Sequence, residues 1–206
     1  MAQAVIYDCE FLTAPGAPQR FWCGPHDPDP VVAQIGAVRL GLEGDFPVLD
    51  TLRTPVIPRG RQGARIPLDP LFIRLTGVDE AMIAAEGLEL AAALERLEGF
   101  AQGARLWSWG KDEFNLIAIS CYLQGIAPPI PAAGFGNAAG LLLQAGMPLE
   151  DIHKTRSNTL AAYFELDHPA LRGHDALDDA RAVALVIQHL LRQGRLAPAA
   201  LALHPA

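Results

Sequence analysis

The order of strand-like and helix-like segments constrains the fold of this chain more than any other feature. Three β-rich runs, at residues 4–11, 31–40 and 48–57, precede the first helical pattern. A turn with Gly41, Gly44 and Asp45 joins the last two runs, which predicts an antiparallel meander. Helical stripes follow, with a fourth strand at 105–109 between them. The sequence therefore predicts an α/β fold with a mixed sheet.

The predicted helices come from apolar residues that recur at the helical spacing and from capping residues. The last of these helices carries its apolar stripe over 176–191 and stops at Gly194. The others are predicted over 71–83 with an interruption at Gly77, over 90–101, over 114–122 up to Gly125, from Asn137 to 144, and from Ser157 or Asn158 to 166.

Residues 14–30 hold five prolines and two glycines, so this segment is predicted to be a long loop. It also holds Phe21 and Trp22, which are unusual in a plain linker. Two interpretations stay open. The aromatic residues either pin the loop onto the core or contact a substrate.

Charge and composition exclude several classes of protein. The 206 residues carry 16 Lys and Arg against 23 Asp and Glu, a net charge of −7, which argues against holding nucleic acid by bulk positive charge. The basic cluster of Arg59, Arg61 and Arg65 is either a solvated loop or a phosphate contact. No apolar run spans a bilayer, no secretory signal is visible, and three cysteines lack metal spacing. We expect a cytoplasmic protein without a membrane span, disulfide framework or zinc site.

The first candidate for chemistry is the pair Asp8 and Glu10 at the end of the opening strand. Strand side chains alternate between faces, so these two carboxylates share a face while Cys9 points to the other. Neighbouring carboxylates repel unless a cation lies between them, and divalent cations prefer oxygen ligands. The pair is therefore either a metal site or two solvated carboxylates on an edge strand.

The second candidate is the segment from His174 to Asp179, which leads into the last helix. Acidic residues in a first turn favour the helix dipole, so ordinary capping is one interpretation. Asp179, however, shares the core-facing side with Ala176 and Val183, whereas Asp178 is turned toward solvent. His174 can meet Asp179 only from the loop before the helix.

The third candidate is Asp112, which follows the strand at 105–109 and starts a helix. A helix cap explains such an aspartate, but α/β proteins also place ligands where strands run into helices. Glu113 is adjacent, so the assignment of the central acid to Asp112 leaves a role for Glu113 open.

Together these motifs resemble the DEDDh 3′→5′ exonucleases. The matching motifs are Asp8-x-Glu10, Asp112 after a strand, and His174-x-Ala-x-x-Asp179. Gln34-Ile-Gly-Ala-Val-Arg-Leu and Leu75-Thr-Gly-Val are similar to two further family segments, in the same order. The Trp-Gly sequence before Asp112 looks closer to the ERI-1-like branch. The resemblance implies a ribonuclease-H-like fold, with a core at about 4–193 in a single exonuclease domain over 1–206.

The resemblance also implies a mechanism. Asp8, Glu10, Asp112 and Asp179 would hold two Mg²⁺ or Mn²⁺ ions, with Asp8 bridging both and Asp112 supporting the second. His174 would be the general base, since a free imidazole titrates at about pH 6.5.

By the same resemblance, Leu12, Thr13, Leu75, Thr76 and Gly77 would grip the 3′-terminal nucleotide. The expected function is a metal-dependent 3′→5′ exonuclease that releases nucleoside 5′-monophosphates from single-stranded nucleic acid, RNA rather than DNA by analogy. A catalytically silent binding relative and a short-oligonucleotide phosphodiesterase remain alternatives. The sequence leaves the oligomeric state open, a homodimer included.

Overall fold

A computed structural model describes residues 2–168 and 170–202. Its centre is a five-stranded sheet with the order β3-β2-β1-β4-β5. The first three strands form the predicted antiparallel meander, and β4 and β5 run parallel to β1. The strands are β1 Gln3–Phe11, β2 Val32–Gly41, β3 Val48–Pro55, β4 Leu106–Ser108 and β5 Phe135–Asn137. The predicted mixed sheet is confirmed.

Eight α-helices flank this sheet within the described residues. They are α1 Pro70–Thr76, α2 Glu80–Glu86, α3 Leu90–Ala101, α4 Asp112–Gln124, α5 Ala138–Gln144, α6 Leu149–Lys154, α7 Ser157–Tyr163 and α8 Ala176–Arg192. The predicted interruption at Gly77 is the end of α1, where glycine takes the left-handed conformation with φ 74°.

Both faces of β1 are buried, which explains its nearly continuous apolar sequence. Ala4 and Ile6 belong to a core shared with α5, α7 and α8. Val5, Tyr7 and Cys9 belong to the core on the opposite face, shared with α3 and α4. The predicted alternation is confirmed, and it sends Asp8 and Glu10 to the α8 side.

Two short elements, one cap and one helix end differ from the sequence-based expectations. Strand β5 has three residues and helix α6 has six, and neither was predicted. The cap of α7 is Arg156 rather than Ser157 or Asn158. Helix α7 ends at Tyr163, so the predicted extension to 166 is wrong. Asn137 caps α5 as predicted, by accepting the Ala139 N–H at 2.9 Å.

Among the described residues, no helix combines the length and apolar character needed to cross a bilayer.

Candidate active site

Three buried carboxylates meet where β1 and α8 face each other. Asp8, Glu10 and Asp179 each contribute an oxygen atom, and these atoms all lie within 4.8 Å of one another. The three residues are only 9, 8 and 6% exposed, respectively. Buried negative charges at this separation repel strongly and need a compensating cation.

The position of α8 depends on two small details of β2. Gly36 lies opposite Asp8, and a Cβ atom there would overlap the backbone of Ala176 and Leu177. Gln34 lies opposite Glu10, and its buried side chain accepts the Ala176 N–H at 3.1 Å. The first turn of α8 therefore sits directly on β2, which brings Asp179 to the carboxylates of β1.

Asp175, rather than Asp178 or Asp179, caps α8. Its Oδ1 atom accepts the first free N–H groups of the helix and lies 2.6 Å from Nη2 of Arg53. Asp179 is therefore free of the capping role and available to the carboxylate cluster.

His174 lies in the turn before α8. This is the predicted position from which it can meet Asp179. Its backbone has φ 62°, an uncommon conformation for a residue with a side chain. Its N–H donates a hydrogen bond of 2.9 Å to Oδ2 of Asp179. The imidazole is exposed and lines the same cavity as Glu10.

The structure brings Glu113, and not Asp112, beside Asp8. Asp112 is exposed at the first position of α4, whereas Glu113 is 8% exposed. Glu113 is close enough to the Asp8 carboxyl to raise its pKa. Oε2 of Glu113 is buried without a hydrogen-bond partner in the described part of the chain. A buried oxygen atom without a partner is an available ligand for a cation.

The sequence contained a signal for Glu113. The buried residues of α4 are Glu113, Leu116, Ile117, Ser120 and Cys121, which follow the i, i+3, i+4, i+7, i+8 pattern of one helix face. The predicted stripe included Phe114 and Tyr122 instead, and Tyr122 is 87% exposed. The buried face of α4 carries Glu113, whereas Asp112 lies outside it.

Burial and mutual repulsion favour the protonated forms of the cluster. Burial, reinforced by the charges of Asp179 and Asp175, raises the pKa of Glu10 to about 8. Burial raises the pKa of Glu113 to about 7, with the Ser108 hydroxyl lowering it in part. Burial raises the pKa of Asp8 well above its usual range, with Glu113 as the next contributor. Burial also raises the pKa of Asp179, although the N–H of His174 opposes this. Divalent cations would relieve the repulsion, so these residues fit a metal centre.

A cavity of about 320 Å³ opens beside the carboxylates and contains several of the predicted substrate residues. Thr13, Leu75 and Thr76 line it together with Glu10 and His174. We call it the nucleotide cavity after the lining residues that were predicted to grip a nucleotide; its volume lies in the range of small-molecule sites, which begins at about 300 Å³. The Thr13 hydroxyl is buried there without a hydrogen-bond partner among the described residues.

Two other residues that were predicted to grip the nucleotide, Leu12 and Gly77, contact other parts of the protein instead. Leu12 is 1% exposed and belongs to a core under α1 and α2. Gly77 ends α1, and a side chain there would overlap the guanidinium group of Arg172. Neither residue lines the nucleotide cavity.

The Thr76 hydroxyl donates to the Phe72 carbonyl and accepts the Val78 N–H, each at 3.0 Å.

The loop at 14–30 both packs on the core and lines the nucleotide cavity. Trp22 donates from Nε1 to the Leu12 carbonyl at 3.0 Å and packs edge-on against Phe11. Phe21 is 82% exposed, so pinning the loop is the role of Trp22 alone. Gln19 and Pro18 contribute to the wall of the cavity.

The arginine cluster is neutralised by local carboxylates. Arg59 pairs with Glu89 at 2.6 Å, Arg61 pairs with Asp29 at 3.3 Å, and Arg65 pairs with Glu80. These contacts favour the solvated-loop interpretation over phosphate contact.

Arg172, which the sequence analysis did not single out, lies at the site. Its guanidinium group donates to the Leu75 carbonyl at 3.3 Å and lowers the pKa of Glu10 against the stronger effects that raise it. It has no ion pair with a carboxylate among the described residues. Arg172 therefore places an available positive charge beside the nucleotide cavity.

The fold is similar to that of several solved nucleases. The nuclease domain of 3′hExo, a DEDDh family member bound to rAMP, superposes with a TM-score of 0.74 at 18% identity, over 95% of this chain and 94% of that chain. A 3′-exonuclease in a structure of histone mRNA stem-loop recognition has a TM-score of 0.74 at 17% identity, over 95% and 84% of the two chains. Escherichia coli Exonuclease I with a dT13 oligonucleotide has a TM-score of 0.61 at 17% identity, over 95% and 42%. These similarities confirm the predicted ribonuclease-H-like fold. No protein-family model and no curated protein matches the sequence.

Proposed function

We propose that this protein is a metal-dependent 3′→5′ exonuclease of the DEDDh type. The observation that carries the proposal is the meeting of Asp8, Glu10 and Asp179 within 4.8 Å, beside a cavity that His174 also lines. Structural neighbours with this fold include nucleases bound to rAMP and to single-stranded DNA, which supports the same reaction class.

In this proposal Asp8, Glu10, Asp179 and Glu113 hold two Mg²⁺ or Mn²⁺ ions, and Glu113 takes the position first expected for Asp112. When bound, the ions would lower the pKa of a water molecule and offset the charge that develops on the phosphate. The partnerless Oε2 of Glu113 and the raised pKa values of Glu10 and Glu113 support this ligand set.

His174 acts as general base. Its imidazole faces the cavity beside Glu10, and its backbone is held by the carboxylate of Asp179. It takes a proton from the attacking water, whose oxygen bonds to the terminal phosphorus. The bond from phosphorus to the 3′ oxygen of the preceding nucleotide breaks, and this oxygen takes a proton from solvent to become the 3′-hydroxyl of the shortened strand. The terminal residue leaves as a nucleoside 5′-monophosphate.

RNA is the proposed substrate. The neighbours with rAMP and with a histone mRNA stem-loop have TM-scores of 0.74, against 0.61 for the neighbour with dT13. The Thr13 hydroxyl, which has no hydrogen-bond partner among the described residues, could serve a ribose hydroxyl group in the nucleotide cavity.

A direct assay tests the proposal. The purified protein is incubated with 5′-labelled 20-mers of RNA, DNA and duplex, with Mg²⁺, with Mn²⁺ or with a chelator. We expect a metal-dependent ladder that shortens from the 3′ end, fastest on single-stranded RNA, and no ladder from Asp8→Ala. Cleavage of dinucleotides only would indicate a short-oligonucleotide phosphodiesterase. Binding without cleavage in either metal would indicate a silent relative.

A further inference from the structure

A buried tyrosine next to the carboxylate cluster has no role in the proposed mechanism. Tyr7 precedes Asp8 on β1 and is 1% exposed. Its hydroxyl group is buried without a hydrogen-bond partner among the residues that the structure describes. Burying a hydroxyl group without a partner costs free energy, and such groups are rare outside sites where they have a function. Tyr7 is therefore a candidate for a role at the site.

The register of the sheet brings Ser108 beside Tyr7. Strands β1 and β4 are parallel, with Ile6 beside Trp107. Tyr7 and Ser108 are the next residues of the two strands, so their side chains are neighbours on one face of the sheet. Tyr7 packs in the core shared with α3 and α4, which identifies that face. Ser108 is 1% exposed, so both hydroxyl groups are enclosed between the sheet and these helices.

Glu113 approaches the same two hydroxyl groups from α4. It belongs to the buried face of this helix, which packs against the core that contains Tyr7. Burial raises the pKa of Glu113 and that of Tyr7, and the Ser108 hydroxyl opposes both shifts. The charge of Glu113 adds to the shift of Tyr7. Such effects require short distances, so the Ser108 hydroxyl is within reach of both the phenol and the carboxyl group.

The hydrogen-bonding capacities of these groups fit one direction of donation. Burial raises the pKa of the Tyr7 phenol, which therefore keeps its proton and can donate it to a hydrogen bond. Ser108 donates to the Gly110 carbonyl at 3.3 Å, which is long for a hydroxyl donor. Because a hydroxyl group rotates and a carboxylate is a stronger acceptor than a carbonyl, the Ser108 proton turns to the carboxylate form of Glu113. The Ser108 oxygen then accepts the Tyr7 O–H.

We infer that Tyr7 and Ser108 are positioning residues, which hold the carboxylate of Glu113 as a metal ligand beside Asp8. The Tyr7 O–H donates to Ser108, and the Ser108 O–H donates to Glu113; we call this pair the hydroxyl chain. It leaves Oε2 of Glu113, which has no partner in the described part of the chain, available to a cation. A glutamate side chain has several rotatable bonds, so a fixed partner is needed to hold its carboxylate in one orientation. The inference rests on the proposed exonuclease function and adds two residues to its site.

Removing one hydroxyl group at a time tests the hydroxyl chain. Ser108→Ala and Tyr7→Phe are compared with wild type by calorimetric Mn²⁺ titration and by steady-state cleavage of 5′-labelled RNA. Ser120→Ala is the matched control, since Ser120 is a fully buried serine of α4. Its hydroxyl accepts the Val32 N–H at 3.0 Å and donates to the Leu116 carbonyl at 2.7 Å, so it serves the backbone rather than a carboxylate.

Ser108→Ala should act on the metal site rather than on substrate binding. We expect Mn²⁺ affinity and kcat to fall by about 10–100-fold, the usual cost of losing the partner of a metal ligand, with KM for RNA within about threefold of wild type. Tyr7→Phe should cause a smaller loss of the same kind, because its hydroxyl acts through Ser108. Ser120→Ala should lower the Tm and keep Mn²⁺ affinity and kcat within about twofold of wild type.

Double-mutant cycles separate positioning from general stability. In the Glu113→Ala background the acceptor is absent, so Ser108→Ala should change Mn²⁺ affinity by less than about twofold. Tyr7→Phe should likewise add less than about twofold in the Ser108→Ala background, because the two residues act in series. Ser120→Ala should keep its full effect on the Tm in the Glu113→Ala background.

Two results would overturn the inference. One is wild-type Mn²⁺ affinity in Ser108→Ala, and the other is a loss as large in the Glu113→Ala background as in wild type. If thermal unfolding shows that Ser108→Ala does not fold, Tyr7→Phe keeps the side-chain shape and decides the matter, since wild-type affinity in that variant overturns the inference as well. Failure of wild type to bind Mn²⁺ and to shorten RNA would overturn the proposed function instead, so the two failures are distinguishable.

Discussion

Two neighbouring acids at the start of α4 have opposite environments. Adjacent helical residues point about 100° apart, so only one of Asp112 and Glu113 can face β1. Asp112 is exposed, whereas Glu113 is buried against Asp8 with one oxygen that lacks a partner among the described residues. Glutamate has one more methylene group than aspartate, which gives this carboxylate a longer reach from the helix to the sheet.

Replacing each acid by its amide separates their roles. Glu113→Gln should weaken Mn²⁺ binding and lower turnover by more than about 100-fold, because loss of outer-shell partners alone costs 10–100-fold. Asp112→Asn should stay within about threefold of wild type, because its side chain is solvated. Calorimetric Mn²⁺ titration and the RNA ladder assay measure both. The reverse pattern would restore Asp112 as the ligand.

His174 can be tested against the same metal titration. His174→Ala should reduce turnover by about 10²–10⁴-fold, the usual contribution of a general base, while Mn²⁺ affinity changes little. Binding survives because the contact between this residue and Asp179 is made by the backbone N–H, which alanine keeps. A variant with unchanged turnover would remove His174 from the reaction.

Arg172 offers a matched comparison between a free and a paired arginine. Arg172→Ala should raise KM for RNA by about tenfold with a smaller change in kcat, because a single guanidinium contact to phosphate contributes mainly to binding. Arg61→Ala is the control, since Arg61 is exposed and paired with Asp29. Equal KM values for the two variants would show that Arg172 does not contact the substrate.

At the scale of elements, the site depends on how closely α8 approaches β2. The backbone of the first turn of α8 occupies the space that a side chain at position 36 would need. Gln34 lies two residues before Gly36 on β2, and its side chain accepts a hydrogen bond from the backbone N–H of Ala176. The Gln34-Ile-Gly36 segment therefore sets the distance between Asp179 and the carboxylates of β1.

Gly36→Ala tests this dependence. The added methyl group meets backbone atoms, which cannot rotate away, so α8 must shift. We expect a loss of about 1–3 kcal/mol in the free energy of unfolding, together with weaker Mn²⁺ binding. Gly99→Ala is the control, since it lies in α3 with open space around it. If Gly36→Ala is less stable but binds Mn²⁺ as tightly as wild type, metal binding does not depend on the position of α8.

The same elements show what the sequence could reveal. The alternation of β1 was sufficient to place Asp8 and Glu10 together, because residues two apart on a strand share a face. Strand β5 was not predicted because three residues carry no periodicity, and its pairing with β4 depends on tertiary packing. Asp112 was chosen by resemblance to the family motif, whereas the side of α4 that carries Glu113 depends on the rotation of the helix about its axis, which tertiary packing determines.

At the scale of the whole molecule, the net charge of −7 is distributed unevenly. The exposed arginines of the 59–65 loop are paired with local carboxylates, so this surface offers little free positive charge. Four acids, Asp8, Glu10, Glu113 and Asp179, are instead buried, and cations bound among them would reverse the local charge. Affinity for a strand should therefore be concentrated near its 3′ end, where the guanidinium group of Arg172 contacts Leu75 of the nucleotide cavity.

The same concentration of acids makes the stability of the metal-free protein depend on pH. The pKa of Glu10 is raised to about 8 and that of Glu113 to about 7, both above the value of about 4.5 expected in the unfolded chain. Between these values the folded state binds more protons than the unfolded state, so the free energy of unfolding falls as pH rises. We expect the Tm of the metal-free protein to be highest near pH 5 and to decrease up to pH 8.

Divalent metal should remove this dependence, because cations stabilise the ionised carboxylates of the folded state and bind the unfolded chain weakly. Addition of Mn²⁺ should therefore raise the Tm more at pH 8 than at pH 5, by several degrees at saturation. Glu10→Gln should flatten the metal-free pH profile and reduce the Mn²⁺ effect, whereas the exposed Asp112→Asn should leave both unchanged. A metal-free Tm that rises from pH 5 to pH 8 would show that the cluster is already ionised and compensated by the protein itself.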